Sequence, residues 1–149
     1  MLPTSRAWLN VLRLGLLASA AGWGISFFFT FSTWEIATNQ LYDMGANPIA
    51  YDPLLNYWLK MASAAFGCIG IGSALACARP HAFAGLIRLL GSFHFIIAAT
   101  LAVAAYQNHL TPDLHPTFIP DIFFCMLAGT MIQLPLLIAW KAGRTASGR

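Results

Sequence analysis

The sequence predicts an all-α protein, a four-helix transmembrane bundle that forms a single domain over residues 1–149. Hydrophobic residues make up 58% of the chain and charged residues only 9%, and the mean hydropathy is +0.67. A chain of this composition cannot cover its apolar surface with polar groups, so its expected solvent is a bilayer. Four apolar segments, near residues 12–33, 53–78, 82–107 and 117–140, are each long enough to cross a hydrocarbon core of about 30 Å.

The first apolar segment admits two interpretations. Arg6 and Arg13 precede an apolar run, and Ala18-Ser19-Ala20 resembles the cleavage site of a secretory signal peptide. The apolar run does not end there, however, but continues to Phe31. We therefore interpret residues 12–33 as an uncleaved membrane helix, with cleavage as the open alternative.

A short amphipathic helix is predicted in the first outer loop, after the first span. Its apolar side chains recur at helical spacing, and Gly45 is a residue type that commonly ends a helix. These apolar residues are Trp34, Ala37, Leu41 and Met44. We expect this helix to lie in the membrane interface or to cap one end of the bundle.

The second span opens with helix-start chemistry, because Asp52 is a good N-cap residue and Pro53 suits the first helical position. Small residues recur at every fourth position along the span, a pattern that lets a neighbouring helix approach closely. They are Ala64, Cys68, Gly72 and Ala76. Arg79-Pro80 then ends the helix, so we expect the second and third spans to form a tight antiparallel hairpin.

The third and fourth spans differ in the residues that interrupt them. The third carries His94 near its middle, about 18 Å from either end. The fourth contains Pro135, which is expected to kink it. Residues 141–149 form a short basic tail that we expect to fray.

His94 is the leading candidate for a site, because an ionisable residue at the bilayer midplane is costly when it faces lipid. We therefore expect a neutral imidazole that faces protein. Counting residues inward from the helix ends places Ser26, Cys68 and Thr130 near its level as hydrogen-bond partners. Two interpretations stay open: a structural bond between helices, or contact with a ligand or a proton. Ligation of haem by two histidines would need a second histidine at this depth, and the sequence places none there.

Three charged residues are further candidates for ligand binding. Arg88 could extend its guanidinium to the interface or hydrogen-bond to Gln133 on the fourth span. Asp121 opens the fourth span, where the helix dipole stabilises a carboxylate; a functional partnership with Glu35 or Tyr106 is the alternative. The predicted ligand-binding set is His94, Asp121, Arg88, Glu35, Ser26 and Thr130.

Several classes of function are not indicated. The three cysteines lie in apolar segments without CxxC spacing, which is typical of buried thiols rather than of disulfides or a metal site. His109, Asp113 and His115 share one loop, but their spacing matches no metal-binding motif, so no metal is expected. The net charge is +3 and basic residues do not cluster with aromatic ones, so nucleic acid is not an expected partner.

Two classes of function remain open. The first is a non-enzymatic membrane protein, with the lipid bilayer as its surroundings, that binds a lipophilic ligand, a partner membrane protein or a second copy of itself. The second is a small membrane enzyme or redox accessory subunit that uses His94 and Asp121. A transporter ranks third. Proton coupling favours a carboxylate deep in the bilayer, and the acidic residues of this sequence lie near the outer rim. The sequence indicates no particular cofactor, and it lacks P-loop and HExxH motifs.

The order of short motifs along the chain resembles a known group of proteins. Tyr51-Asp52-Pro53 and Asn56-Tyr57 open the second span, Arg79-Pro80 forms the next turn, His94 lies in the third span and Asp121 opens the fourth. This order is similar to that of small uncharacterised bacterial inner-membrane proteins, a four-helix group of unknown function that is loosely DoxX-like. The resemblance implies a four-helix bundle, and it implies neither an activity nor any site residue.

The distribution of basic residues predicts the topology. All but one lie at or near one side of the predicted membrane: Arg6, Arg13, Arg79, Arg88, Lys141, Arg144 and Arg149. The positive-inside rule then predicts a multi-pass protein of the inner (plasma) membrane with both termini in the cytoplasm. Reporter fusions should place the C-terminus inside and Asn39 and Asp113 outside. A C-terminus on the outer side would contradict this topology and favour cleavage of the first segment.

Overall fold

The structure, a computed structural model, describes residues 2–147, and its regular elements in that range are all helical. Four helical segments are long and apolar enough to cross a membrane, so the predicted all-α four-helix bundle is confirmed. The helices are α1 (Arg6–Gly24), α2 (Phe27–Phe31), α3 (Trp34–Asp43), α4 (Pro53–Ala78), α5 (Ala84–Gln107) and α6 (Phe118–Ser147). The spans are α1 with α2, then α4, α5 and α6.

Close contacts between helices define the order of the bundle. Gly15 lies against Met131 and Gly22 against Phe124, so α1 and α6 run antiparallel. Helix α1 contacts α4 as well as α6, and α6 contacts α5 most extensively, which gives the order α4–α1–α6–α5 around the bundle. One end of the bundle therefore carries the start of α1 and the end of α6, and we call it the termini end. The opposite end carries the short helix α3, and we call it the α3 end.

The hairpin expected between the second and third spans is present in its short connection, but its two helices pack less tightly than expected. Residues 79–83 do join α4 and α5 by a short turn. The two helices nevertheless contact each other less than any other neighbouring pair of spans. An apolar groove of about 310 Å³ separates them, lined in part by Cys68, Gly72 and Leu86. A short connection brings two helix ends together, but side-chain packing decides whether their faces meet.

The first span is interrupted, whereas the sequence predicted one continuous helix. The Ser26 N–H donates to Trp23 O instead of Gly22 O, and the Phe29 N–H donates to Ser26 O. Such i→i+3 bonds form a tight 3₁₀-like turn between α1 and α2. The carbonyl of Gly22 consequently loses the partner that an uninterrupted α-helix would provide.

A lysine from α4 caps the end of the first span. The Lys60 ammonium donates hydrogen bonds to the backbone oxygens of Phe29, at 3.1 Å, and of Ser32. The last carbonyls of a helix lack partners within the helix, and they carry the negative end of its dipole. This contact accounts for the one basic residue that departs from the predicted charge asymmetry.

The short helix α3 confirms the amphipathic helix predicted after the first span. Thr33 caps its start by accepting from the Ile36 N–H, and Gly45, with φ of 98°, follows its end. A Cβ on Gly45 would lie 1.9 Å from the backbone oxygen of Leu114 in the loop between α5 and α6. The end of α3 is therefore fitted closely against that loop.

The termini end contains the closely packed apolar core. Its buried residues come from all four spans: Leu12, Leu16, Ala76, Ile87, Leu90, Ile132 and Leu136. Helix α6 continues to Ser147, beyond the predicted end near residue 140, so the expected fraying at residue 141 is wrong. Residues 148 and 149 of the predicted tail lie outside the described residues.

The closest approach of α4 to α1 occurs beside the predicted small-residue stripe. A Cβ on Gly70 would lie 2.5 Å from Gly24 Cα, and one on Gly67 would lie 2.1 Å from the Phe27 ring. A Cβ on Gly72 would meet only Leu86, at 3.7 Å. The small residues of α4 thus pack as the sequence suggested, but the contact face is rotated toward Ser63, Gly67, Gly70 and Ser73.

We predict that Gly70→Ala destabilises the bundle, because the atom it meets belongs to a backbone that cannot rotate away. Overpacking of this kind costs about 1–3 kcal/mol, measurable as a lower midpoint of thermal unfolding in detergent. The matched control is Gly72→Ala, which has room and gains helix propensity worth up to about 1 kcal/mol. An equal loss of stability in the two variants would contradict the observed packing, in which Gly70 and not Gly72 meets the backbone of α1.

Candidate functional site

A hydrogen bond between Trp23 and His94 lies at the centre of the bundle. The Trp23 indole Nε1–H donates to His94 Nε2 over 3.0 Å, and the His94 side chain is 0% exposed. His94 Nδ1 lies 2.7 Å from the backbone oxygen of Leu90. Because an indole N–H can only donate, Nε2 must be the acceptor and the proton must lie on Nδ1. The imidazole is therefore neutral, and both of its nitrogens are occupied.

An aromatic cluster surrounds this hydrogen bond and links all four spans. The Trp23 ring centroid lies 5.1 Å from Phe66 of α4, 5.6 Å from Phe93 of α5 and 6.3 Å from Phe124 of α6. Most of these ring pairs are tilted or edge-to-face, the arrangements that aromatic quadrupoles favour. Trp23 therefore contacts every other span from one position on α1.

The groups expected to bond with His94 have other partners or positions. Ser26 faces a cavity described below, Cys68 is exposed, and Thr130 donates to Met126 O on its own helix over 2.7 Å. The sequence did not indicate Trp23 as the partner of His94, because only hydroxyl and thiol side chains at the same backbone depth were expected to bond with it. An indole is long enough to reach His94 from one helical turn away. The signal available in the sequence was a tryptophan far from both membrane interfaces.

A cavity of about 600 Å³ lies between the aromatic cluster and the α3 end. Trp23, Phe66 and Phe124 lie on its inner side, while Gln40 of α3 and Met44, directly after α3, line it from the α3 end. The interrupted part of the first span forms one wall. The remaining lining residues are Gly22, Ile25, Ser26, Phe29, Ile97, Thr100, Leu101, Asp121 and Cys125.

The cavity brings together only two of the predicted ligand-binding residues, Ser26 and Asp121. His94 lies behind Trp23 and does not line it. Thr130 is exposed elsewhere on α6. Arg88 is exposed, and its backbone oxygen, not its guanidinium, accepts a hydrogen bond from Gln133 Nε2 at 3.0 Å. The predicted set therefore splits into a cavity pair, a structural histidine and three residues outside the cavity.

Glu35, the third residue outside, lies in the first turn of α3 and is fully exposed. Hydrogen bonds from its own backbone N–H and from the Thr33 hydroxyl hold the pKa of its carboxyl below the ordinary value. A carboxylate in this position is also favoured by the helix dipole. These contacts give Glu35 a local role at the start of α3, and it does not line the cavity shared by Ser26 and Asp121.

Asp121 is the one charged side chain among the described residues that line the cavity. Its backbone N–H donates to Thr117 O. Within residues 2–147 no group donates a hydrogen bond to its carboxylate. Cys125, one turn further along α6, is buried beside the same cavity. An acidic group therefore lines a space whose other walls are mainly apolar and aromatic.

The cysteines only partly match the prediction of buried thiols. Cys125 is buried and Cys77 is half-buried, but Cys68 is exposed beside the groove between α4 and α5. All three are free thiols. Within the described part of the chain, no three side chains of the metal-binding types converge.

The fold and the cavity define a class, a multi-pass helical membrane protein with a partly open cavity toward its α3 end. Comparison with protein-family models, with curated proteins and with solved structures found no match for this chain. The resemblance to DoxX-like inner-membrane proteins therefore stays a prediction.

We predict that Trp23 and His94 are energetically coupled. Trp23→Phe or His94→Phe alone leaves a buried polar atom without its partner, at a cost of about 1–3 kcal/mol in unfolding free energy. The double variant removes both polar atoms and should lose less than the sum of the single losses. Unfolding of the four proteins in one detergent measures this coupling. Additive losses would mean that the hydrogen bond contributes nothing.

Proposed function

We propose that this protein is a non-enzymatic inner-membrane protein that holds a small lipophilic molecule in the cavity at its α3 end. The cavity is the observation that carries the proposal. Its volume of about 600 Å³ falls within the range of roughly 300–1,000 Å³ that is usual for small-molecule sites. Its lining, mainly apolar and aromatic with a few polar groups, is also typical of such sites.

The contrast between the two ends of the bundle supports this function. At the termini end, seven apolar residues are buried against one another, and the groove between α4 and α5, at about 310 Å³, is smaller than the cavity. At the α3 end, the spans separate and the interrupted first span lines the opening. Irregular backbone at membrane depth is tolerated where it lines a cavity or is buried in protein. The larger space at the α3 end is therefore the better candidate for holding a molecule.

Helix α3 and the residue after it cover one side of the cavity. Gln40 and Met44 reach over the cavity, and Gly45 fits closely against Leu114 of the opposite loop. A second, smaller space of about 170 Å³ lies beneath α3 and shares Ser26, Phe29 and Phe66 with the main cavity. A bound molecule would thus be covered by α3 and reach down to Trp23.

The enzymatic alternative that pairs His94 with Asp121 gains no support from these positions. Asp121 faces the cavity, whereas His94 lies behind the Trp23 indole with both nitrogens hydrogen-bonded. General acid–base chemistry requires the reacting group to lie within hydrogen-bond reach of the substrate. His94 is better suited to holding Trp23 in place at the inner side of the cavity.

We predict that filling the cavity weakens binding of a lipophilic probe. N-phenyl-1-naphthylamine, which is neutral at pH 7, should bind the purified protein with a rise in fluorescence. Ile97→Trp places a large side chain in the cavity and should weaken that binding at least about tenfold, equivalent to about 1.4 kcal/mol.

The matched control is Ile96→Trp, because Ile96 is the neighbouring residue and is 63% exposed on the outer surface. This variant should bind the probe like the wild type. Because it adds the same side chain outside the cavity, it also controls for fluorescence of probe dissolved in detergent. Leu101→Trp fills the same cavity from the next turn of α5 and should repeat the loss. Equal binding by the Ile97 and Ile96 variants, or no binding by the wild type, would contradict the proposed function.

A further inference from the structure

We infer that the cavity selects amphipathic amines, molecules with an apolar body and a protonated amino group. The inference rests on the proposed function and specifies the chemistry of its ligand. Its starting point is the charge of the cavity wall. Asp121 is acidic, and among the described residues no lysine, arginine or histidine side chain lines the space. A ligand that carries one positive charge would be matched, and an anion would be repelled.

Several acceptors in the wall favour the same choice, while the Ser26 hydroxyl and the Gln40 amide can both donate and accept. The Thr100 hydroxyl already donates its hydrogen to Ile96 O over 2.9 Å, so its oxygen is left to accept. The carbonyl of Gly22 lost its usual donor at the interruption of the first span. Asp121 accepts as well, and its carboxylate has no donor within residues 2–147. An ammonium group, with three donors and no acceptor, complements such a wall.

Aromatic faces provide a second source of attraction for a cation. Trp23, Phe29, Phe66 and Phe124 all line the cavity. A cation within about 6 Å of an aromatic ring gains roughly 0.5–2 kcal/mol, most at sites that exclude water. Neutral and anionic ligands would lack this contribution.

The positions along the helices give the ligand an orientation. Asp121 lies in the first turn of α6, close to the α3 end, whereas Phe124 and Cys125 lie one turn, or about 5 Å, deeper. Trp23 lies at the inner side, next to buried His94. The amino group would therefore lie near Asp121 and the α3 end, with the apolar body directed toward Trp23.

The start of α6 is the one feature that would favour an anion, because helix N-termini carry positive partial charge. Asp121 occupies that first turn and supplies a full negative charge there. Pro120, which has no N–H, removes one donor from the same turn. The local field at the cavity therefore favours a cation.

The test measures displacement of N-phenyl-1-naphthylamine by three ligands with the same apolar chain: decylamine, decanol and decanoate. Decylamine should displace the probe from the wild type at a concentration at least about tenfold lower than decanol, since one charge-assisted hydrogen bond accounts for that ratio. Decanoate should be the weakest of the three. Asp121→Asn should reduce the preference for the amine to about twofold or less.

Two variants serve as controls. Asp113→Asn removes an exposed acid from the loop between α5 and α6 and should leave the preference for the amine unchanged. Asp121→Glu keeps the charge and should retain most of the preference. Binding of the naphthyl probe by Asp121→Asn shows that this variant is folded and that its cavity is intact.

The outcomes separate the two proposals. If the probe binds but decanol or decanoate displaces it as well as decylamine does, the selectivity for amines is overturned and the proposed function stands. If Asp121→Asn keeps the wild-type preference for decylamine, the role of Asp121 in amine selectivity is overturned and the proposed function again stands. If the probe does not bind the cavity at all, both proposals fail.

Discussion

The structure depends on the hydrogen bond from Trp23 to His94, the buried polar contact that lies within the aromatic cluster. Either side chain alone would bring an unsatisfied polar atom into the apolar interior, and together they satisfy each other. Because the donor is an indole, the same bond brings the largest side chain of α1 into contact with Phe66, Phe93 and Phe124. One directional bond thus sets the rotation of α1 relative to its three neighbours.

The aromatic cluster divides the bundle into two ends with different packing. On the termini side, glycines permit backbone contact, as where Gly70 meets Gly24, and Ser19 and Ser73 hydrogen-bond across α1 and α4 at 2.8 Å. On the α3 side, a tight turn interrupts the first span after Gly24, and aromatic rings line the space between the helices. The cavity lies beside this break in the first span.

Polar and charged residues near the α3 end fall into two groups according to whether they have a partner. Asp52 accepts from the Leu55 N–H at 2.8 Å to cap α4, Thr33 caps α3, and Lys60 caps the end of α2. Each of these satisfies a helix terminus. Asp121 differs, since it faces the cavity and has no donor within the described residues. Its place in the cavity wall is why Asp121 is the centre of the proposed binding chemistry.

The sequence alone determined the elements: the number of spans, the caps at Asp52 and Gly45, and the short helix α3 follow from apolar length and local turn chemistry. Among the site residues, it placed Asp121 at the start of α6 and His94 in the protein interior. Only the tertiary structure decided how each helix is rotated, and hence that Trp23 is the partner of His94, that Gly70 and not Gly72 marks the close contact, and that α4 and α5 separate. Length and caps are local properties of the chain. Rotation depends on side chains from several helices competing for the same volume, and all-apolar helices carry too little polarity around their circumference to reveal it.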